Sequence, residues 1–188
     1  MKIVLASASP RRSAILSQAG IDFEVCVSEI EERTTKSTPW EIVEELSYQK
    51  AKDVAGRFPS DVLVIGADTV VAAGETILGK PKDHADAVSM IRSLAGQTHQ
   101  VYTGVTLIRN GIAHTFHAKT DVRVTDLSER EIEDYVNSGE PFDKAGAYAI
   151  QGLFCKYITE IHGEYNNVVG LPVAAIRAEC RASGIDIM

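Results

Sequence analysis

The order of apolar and polar residues predicts strands that alternate with helices. An apolar run at residues 3–5 predicts a short buried strand, and residues 61–73 predict a long strand that Gly66 and Asp68 interrupt. Further strands are expected at residues 22–27, at 76–78, on both sides of 110–111 and near 154–161, with helices at 10–19, 38–56, 83–96, 128–137 and 171–182. Residues 28–37, 139–152 and 162–170 are expected to be loops.

Capping and turn residues mark several of these boundaries. Thr38 with Glu41, and Ser128 with Glu131, have the spacing of capping boxes at the starts of helices. The pair Asn110-Gly111 is the preferred centre of a type I′ turn, which indicates that the strands on either side form a hairpin. Helices between strands and one antiparallel hairpin predict a single mixed α/β domain over residues 1–188, with helices flanking a mixed, twisted sheet.

Composition narrows the class of protein. The chain is 45% hydrophobic and 24% charged, which is enough to form a core, and its formal net charge is −7. That charge argues against a nucleic-acid partner, so a polyanionic ligand must meet a local group of basic residues. Three scattered cysteines form no paired motif, and no run approaches the roughly 20 apolar residues of a membrane span. We therefore expect a cytoplasmic protein without a membrane partner.

The stretch after the first strand has the features of an anion site. Ser9 is placed as an N-cap before Pro10, and the next two residues are Arg11 and Arg12, where the positive end of the helix disfavours cations. A bound phosphate removes this conflict, because backbone N–H groups, the Ser7 and Ser9 hydroxyls and both guanidinium groups favour an anion. The alternative is that both arginines point to water.

Asp68 is the second unusual residue, because it lies in a run that otherwise favours burial. A buried carboxylate needs a cation, a metal ion or strong hydrogen-bond donors. Gly66 permits a close backbone approach, which we interpret as space for a ligand beside the strand. Asp68 is therefore a candidate catalytic base or magnesium ligand, and a structural aspartate bonded to backbone amides is the alternative.

Residues 74–81 read GETILGKP and nearly match a phosphate-binding P-loop. Pro81 follows Lys80 where that motif needs Ser or Thr, and the stretch lies within a predicted hairpin, so we reject a P-loop. Lys80 is still a candidate phosphate contact. Lys50 falls on the apolar side of its helix, where a lysine that extends to solvent is the usual case. Glu31 and Glu32 lie in a polar loop, and either could complement Asp68 as a metal ligand.

Several motifs together resemble the Maf family of nucleoside triphosphate pyrophosphatases. In chain order they read SASPRRSAIL, VIGADTVV, ILGKP, TGV, GEPFDKAGAYAIQG and VVGLP, and they extend from residue 1 to about residue 171. The resemblance implies an elongated α/β fold of two lobes around a cleft, related to inosine triphosphate pyrophosphatases. It also implies hydrolysis of a nucleotide to its monophosphate and pyrophosphate with a divalent cation, Mg²⁺ or alternatively Mn²⁺ or Co²⁺.

The resemblance also implies roles for individual residues. It makes Asp68 the proton acceptor and, with Glu32, a metal ligand, and it counts Glu32 and Lys80 as catalytic. It places six residues around the phosphates, namely Ser7, Ser9, Arg11, Arg12, Lys50 and Lys80, and it assigns the choice of substrate to Arg12, Thr69 and Gln151. The form of the 139–152 motif is similar to the subgroup that acts on dTTP and UTP in a housecleaning role, and the family favours a homodimer.

Two other functions stay open from the sequence. One is a pyrophosphatase acting on 7-methyl-GTP or another modified purine nucleotide. The other is a nucleotide-binding regulator of cell division and septum formation without turnover.

Overall fold

The structure is a computed structural model that describes residues 1–187; Met188, the last residue of the predicted domain, lies outside them. The strands are β1 (Ile3–Ala6), β2 (Glu24–Val25), β3 (Leu63–Ala73), β4 (Thr76–Leu78), β5 (Thr98–Arg109), β6 (Ile112–Val124) and β7 (Ile158–His162). The helices are α1 (Pro10–Gln18), α2 (Pro39–Ala55), α3 (His84–Leu94), α4 (Glu129–Asn137), α5 (Tyr165–Val169) and α6 (Val173–Ala182).

One mixed sheet contains all seven strands. Its order is β2-β1-β3-β5-β6-β7, and β4 pairs with β3 outside this path. Strand β1 runs parallel to both β2 and β3, whereas β4 and β7 pair antiparallel with β3 and β6. The predicted mixed α/β fold, a mixed sheet with flanking helices, is therefore confirmed. Within residues 1–187, none of the helices has both the length and the apolar character needed to cross a bilayer.

The chain divides into two compact units. Unit 1 comprises residues 1–68, residues 103–118 and the chain from Gly170 onward, and unit 2 comprises residues 69–102 and 119–169. The extent of a single domain over residues 1–188 stays a prediction. In unit 1 the strand β1 is buried, and Ala51 and Val54 of α2 pack in one core cluster with Val4, Ala6 and Val64.

Most of the local signals form the expected structures. The Ser128 hydroxyl accepts a hydrogen bond from the N–H of Glu131, whose carboxylate accepts one from the N–H of Ser128 in return. Asn110 and Gly111 both have positive φ angles, 52° and 74°, as a type I′ turn requires. At α2 the Thr38 hydroxyl instead bonds the Glu41 carboxylate, so the predicted capping box there is not formed.

Three predicted segments differ from the structure. The second strand is limited to β2, two exposed residues at the edge of the sheet. The last strand begins at Ile158, because residues 153–157 form a 3₁₀ turn in which the rings of Phe154 and Tyr157 are buried. The loop predicted at 162–170 contains the short helix α5, where the Asn167 amide donates to the carbonyl of Val101.

Candidate active site

The turn between β1 and α1 forms one wall of the candidate site in unit 1. Arg12 donates from Nε to the carbonyl oxygen of Gly170 at 2.7 Å and from Nη1 to Oγ of Ser7 at 3.0 Å. Ser7 is buried, and its Oγ also accepts the backbone N–H of Ser9 at 3.2 Å. Among the described residues, the Ser9 side chain makes no capping hydrogen bond to α1. Arg12 is therefore fixed by protein acceptors, and Ser9 leaves the first turn of the helix uncapped.

Burial and neighbouring charged residues of unit 1 shift the pKa of Arg12. Burial lowers the pKa of the Arg12 guanidinium, and the nearby charge of Arg11 lowers it further, whereas Asp68 and Glu32 raise it. An arginine remains charged despite such a shift, because its pKa starts far above neutral pH. The alternative in which Arg12 points simply to water is wrong, since its side chain is held against Gly170 and Ser7.

Helix α2 packs directly on the sheet, and two glycines make this possible. A Cβ atom on Gly66 would lie 2.5 Å from the carbonyl oxygen of Ser47, and one on Gly104 would lie 2.2 Å from that of Val43. The close backbone approach predicted at Gly66 is thus real, but within unit 1 the neighbour is α2. The prediction that Gly66 marks space for a ligand is therefore wrong, because the backbone of α2 fills that space.

This packing brings Lys50 of α2 to Asp68 of β3. The Lys50 ammonium donates to Oδ1 of Asp68 at 2.6 Å and lies 3.1 Å from Oε1 of Glu32. The side chains of Lys50 and Asp68 are only 14% and 13% exposed, whereas that of Glu32 is 47% exposed. Of the partners that a buried Asp68 was predicted to need, a cation, a metal ion or strong hydrogen-bond donors, the structure shows a cation, Lys50.

Glu31 and Glu32 have different partners in the structure. Glu31 pairs with Arg33 on the surface, where both side chains are at least three-quarters exposed. Glu32 instead shares the ammonium of Lys50 with Asp68. Of the two glutamates, Glu32 is the one that extends toward Asp68.

The other predicted site residues, Thr69, Lys80 and Gln151, belong to unit 2. Thr69 is half-buried in β3, while Lys80 and Gln151 are exposed in loops. Residues 74–81 form a turn, the strand β4 and a loop, with no helix before His84, so the rejection of a P-loop is confirmed.

The segment that carries Gln151 is held firmly within unit 2. The N–H of Gly146 donates to the carbonyl of Gly79 at 3.0 Å, which joins this segment to the residue before Lys80. Tyr148 is buried, and its hydroxyl lies 2.7 Å from Nε2 of the fully buried His99. The carboxylate of Glu140 accepts the N–H of Leu153 at 2.8 Å and closes the segment.

Two residues of these arrangements were not predicted. The carbonyl of Gly170 belongs to the VVGLP motif, which marked the position without indicating a hydrogen bond to Arg12. His99 lies at the start of β5, and its position among alternating strand residues gave no signal of a bond to Tyr148.

Comparison with known proteins adds to this geometry. The family model described as Maf-like protein matches residues 2–183. The chain belongs to the Maf-like family. The resemblance inferred from the motifs is therefore confirmed over nearly all of the sequence.

Several relatives within this family share close to half of their residues with the chain. A protein of Agathobacter rectalis named dTTP/UTP pyrophosphatase is 50% identical, over 99% of both sequences. One of the same name from Lachnoclostridium phytofermentans is 50% identical over all of this chain and 98% of its own length. Among solved structures, the Staphylococcus aureus Ham1 protein aligns with 97% of this chain and 100% of its own, with a TM-score of 0.52 and 15% identity. That likeness shows the fold alone.

Proposed function

We propose that this Maf-like chain is a nucleoside triphosphate pyrophosphatase, which hydrolyses dTTP and UTP to the monophosphate and pyrophosphate in a housecleaning role. The observation that carries the proposal is the half-buried carboxylate of Asp68, paired with Lys50 and electrostatically coupled to Arg12. Relatives at 46–50% identity over nearly their full length are named dTTP/UTP pyrophosphatase, and this supports the choice of substrate.

The proposed reaction is an attack of water on the α-phosphorus of the nucleotide. The water oxygen forms a bond to phosphorus, the bond from the α-phosphorus to the α–β bridging oxygen breaks, and pyrophosphate leaves. Asp68 accepts the proton of the attacking water, and a hydrogen bond from Lys50 holds this carboxylate in place beforehand. Arg11 and Arg12 offset the negative charge of the triphosphate, with the uncapped start of α1 as a further source of N–H donors.

Asp68 and Glu32 fit the oxygen-rich site of a divalent cation. Their carboxylates come from different segments yet reach the same ammonium group, so both can face one cation. Mg²⁺ binds through one or two carboxylates, substrate phosphate oxygens and water. Residues 1–187 contain no group of three or more Asp, Glu, His or Cys suited to a metal, which agrees with a site that substrate completes. When bound, Mg²⁺, or alternatively Mn²⁺ or Co²⁺, supplies charge neutralisation for the phosphates.

A panel of nucleotides tests this function. Wild-type protein is incubated with Mg²⁺ and dTTP, UTP, CTP, GTP or 7-methyl-GTP, and monophosphate and pyrophosphate are separated by ion-exchange chromatography. We expect dTTP and UTP to be converted fastest. Asp68→Asn should reduce turnover on the order of a thousandfold, because it removes the proton acceptor while retaining shape.

The matched control is Asp61→Asn, a change at an exposed aspartate just before β3, which should leave turnover unchanged. Preference for 7-methyl-GTP would overturn the assigned substrates and favour a modified-purine enzyme. Tight nucleotide binding without pyrophosphate would favour a binding regulator of cell division.

The remaining roles rest on the family. The family resemblance assigns the choice of base to Arg12, Thr69 and Gln151. It assigns phosphate contacts to Ser7 and Ser9, and a catalytic role to Lys80. We also propose a cytoplasmic homodimer that does not bind nucleic acid; light scattering and cell fractionation test the assembly and the location.

A further inference from the structure

Lys50 already occupies the position of a cation between two carboxylates. Its ammonium lies 2.6 Å from Oδ1 of Asp68 and 3.1 Å from Oε1 of Glu32, and it is largely shielded from solvent. These are the two carboxylates that the proposed function gives to a divalent cation. The Lys50 ammonium therefore lies at the position that the divalent cation would occupy in the proposed function.

Lys50 and a divalent cation cannot both hold these oxygens in the observed arrangement. The ammonium donates a hydrogen bond to Asp68 and forms an ion pair with Glu32, the same carboxylates through which a cation would bind. At such short separations two positive charges repel strongly, and limited exposure to solvent weakens screening. The lysine stem has four flexible carbons, so the ammonium can leave without movement of α2.

We propose that Lys50 competes with the divalent cation for Asp68 and Glu32, and releases both carboxylates when the triphosphate offers its ammonium another anionic partner. Lys50 thereby keeps metal affinity low in the nucleotide-free protein and couples metal binding to substrate binding. The inference rests on the proposed function for the role of the metal. If the ion pair between Lys50 and Asp68 were purely structural, metal binding would not depend on substrate binding.

Binding of Mn²⁺ to nucleotide-free protein tests the competition. Free Mn²⁺ is measured by electron paramagnetic resonance during titration of the wild type, Lys50→Gln, Lys50→Arg and Lys52→Gln. We expect Lys50→Gln to bind Mn²⁺ about tenfold more tightly than the wild type, because the competing charge is lost. Lys50→Arg retains the charge and should bind as weakly as the wild type.

The matched control is Lys52→Gln, since Lys52 lies on the same helix, is exposed and stacks over the ring of Tyr48. It should leave Mn²⁺ affinity unchanged. Affinity of Lys50→Gln equal to or below that of the wild type would overturn the proposal, and so would the absence of Mn²⁺ binding in every variant.

A second variant covers the case in which Lys50→Gln does not fold. Lys50→Met removes the charge but keeps an apolar stem in the same place, and it should also bind Mn²⁺ about tenfold more tightly than the wild type. Affinity of Lys50→Met equal to or below that of the wild type would contradict the proposal. Failure of the proposed function is recognised separately, since it appears as missing pyrophosphate in the nucleotide panel whatever the Mn²⁺ titration shows.

Discussion

The contacts of Arg12 show how one of the two arginines is accommodated at the start of a helix. Its guanidinium is turned onto the Gly170 carbonyl and the Ser7 hydroxyl, so protein acceptors offset the unfavourable end of α1. The planar group makes these two bonds from two different nitrogens, Nε and Nη1, in a fixed geometry. A lysine has one nitrogen and cannot reproduce this arrangement. Arg12 is therefore oriented before any ligand arrives.

Arg12→Lys tests whether this orientation matters for substrate. We expect KM for dTTP to rise about tenfold with a smaller fall in kcat, because the charge remains but the fixed fork of donors is lost. Steady-state assays of pyrophosphate release measure both constants. Arg57→Lys is the control in unit 1, where the exposed Arg57 pairs with Asp53. Unchanged KM and kcat in Arg12→Lys would remove Arg12 from substrate binding.

At the scale of elements, the position of α2 determines the candidate site. The helix buries Val43, Ser47, Ala51 and Val54. Ser47 and Ala51 meet Gly66 of β3, and the backbone of Val43 meets Gly104 of β5. The Ser47 hydroxyl also lies 3.0 Å from that of Thr106 in β5. Lys50 reaches Asp68 only because helix and strand lie this close.

Gly104→Ala should therefore displace α2. Its Cβ would overlap the carbonyl group of Val43, 2.2 Å away, and backbone atoms cannot yield as a flexible side chain does. We expect the free energy of unfolding to fall by about 2–4 kcal/mol. Urea denaturation measures it.

Gly56→Ala is the control at the end of the same helix, where an added Cβ makes only ordinary contacts at 3.6 Å or more. Its stability should change by no more than about 0.5–1 kcal/mol. A Gly104→Ala protein as stable as the Gly56→Ala protein would show that α2 can move away from β5 at little cost.

The sequence predicted elements well where the signal is local, and less well where it depends on packing. The Ser128 capping box and the Asn110-Gly111 turn need only neighbouring residues, and both formed. The apolar side of α2 was expected to include Lys50, whereas the helix buries Ser47 and Ala51 besides Val43 and Val54. Small residues give little hydrophobic signal, and the role of Ser47 and Ala51 appears only in their contact with Gly66 of β3. For the same reason the TGV motif did not disclose that its Gly104 contacts Val43.

For the candidate site, burial alone predicted that Asp68 needs a cation, a metal ion or strong hydrogen-bond donors, but it did not identify Lys50 as that partner. Lys50 lies 18 positions before Asp68, and only the fold brings them together. Likewise, the bond from Arg12 to Gly170 spans 158 positions. The periodicity of apolar residues does not predict contacts between residues so far apart in the sequence.

At the scale of the whole molecule, the net charge of −7 opposes the binding of a polyanion. Arg11, Arg12 and Lys50 concentrate positive charge in one part of unit 1, where Asp68 and Glu32 balance it in the absence of a ligand. A fold by itself does not determine a chemistry, because function depends on the side chains of the site. The arrangement of these charged side chains is what the proposed function depends on.

The stability of the whole protein should depend on pH through His99. Burial lowers the pKa of His99 from 6.5 to about 4, while the nearby Asp121 acts to raise it. Between these values the unfolded chain binds a proton that the folded protein does not, so stability falls as pH decreases from about 6.5 toward about 4 and is constant above this range. From about pH 7.5 to about pH 5 this group alone should reduce the free energy of unfolding by about 2 kcal/mol.

Urea denaturation at both pH values measures this difference, and a double variant isolates its source. His99→Phe with Tyr148→Phe removes both partners of the buried hydrogen bond together, so that neither is left unsatisfied. We expect this protein to lose about 2 kcal/mol less than the wild type on acidification. His84→Gln, at a half-exposed histidine of α3, should retain the full dependence on pH. Equal slopes in the wild type and the double variant would mean that His99 is protonated in the folded protein, and that its bond to Tyr148 does not require a neutral ring.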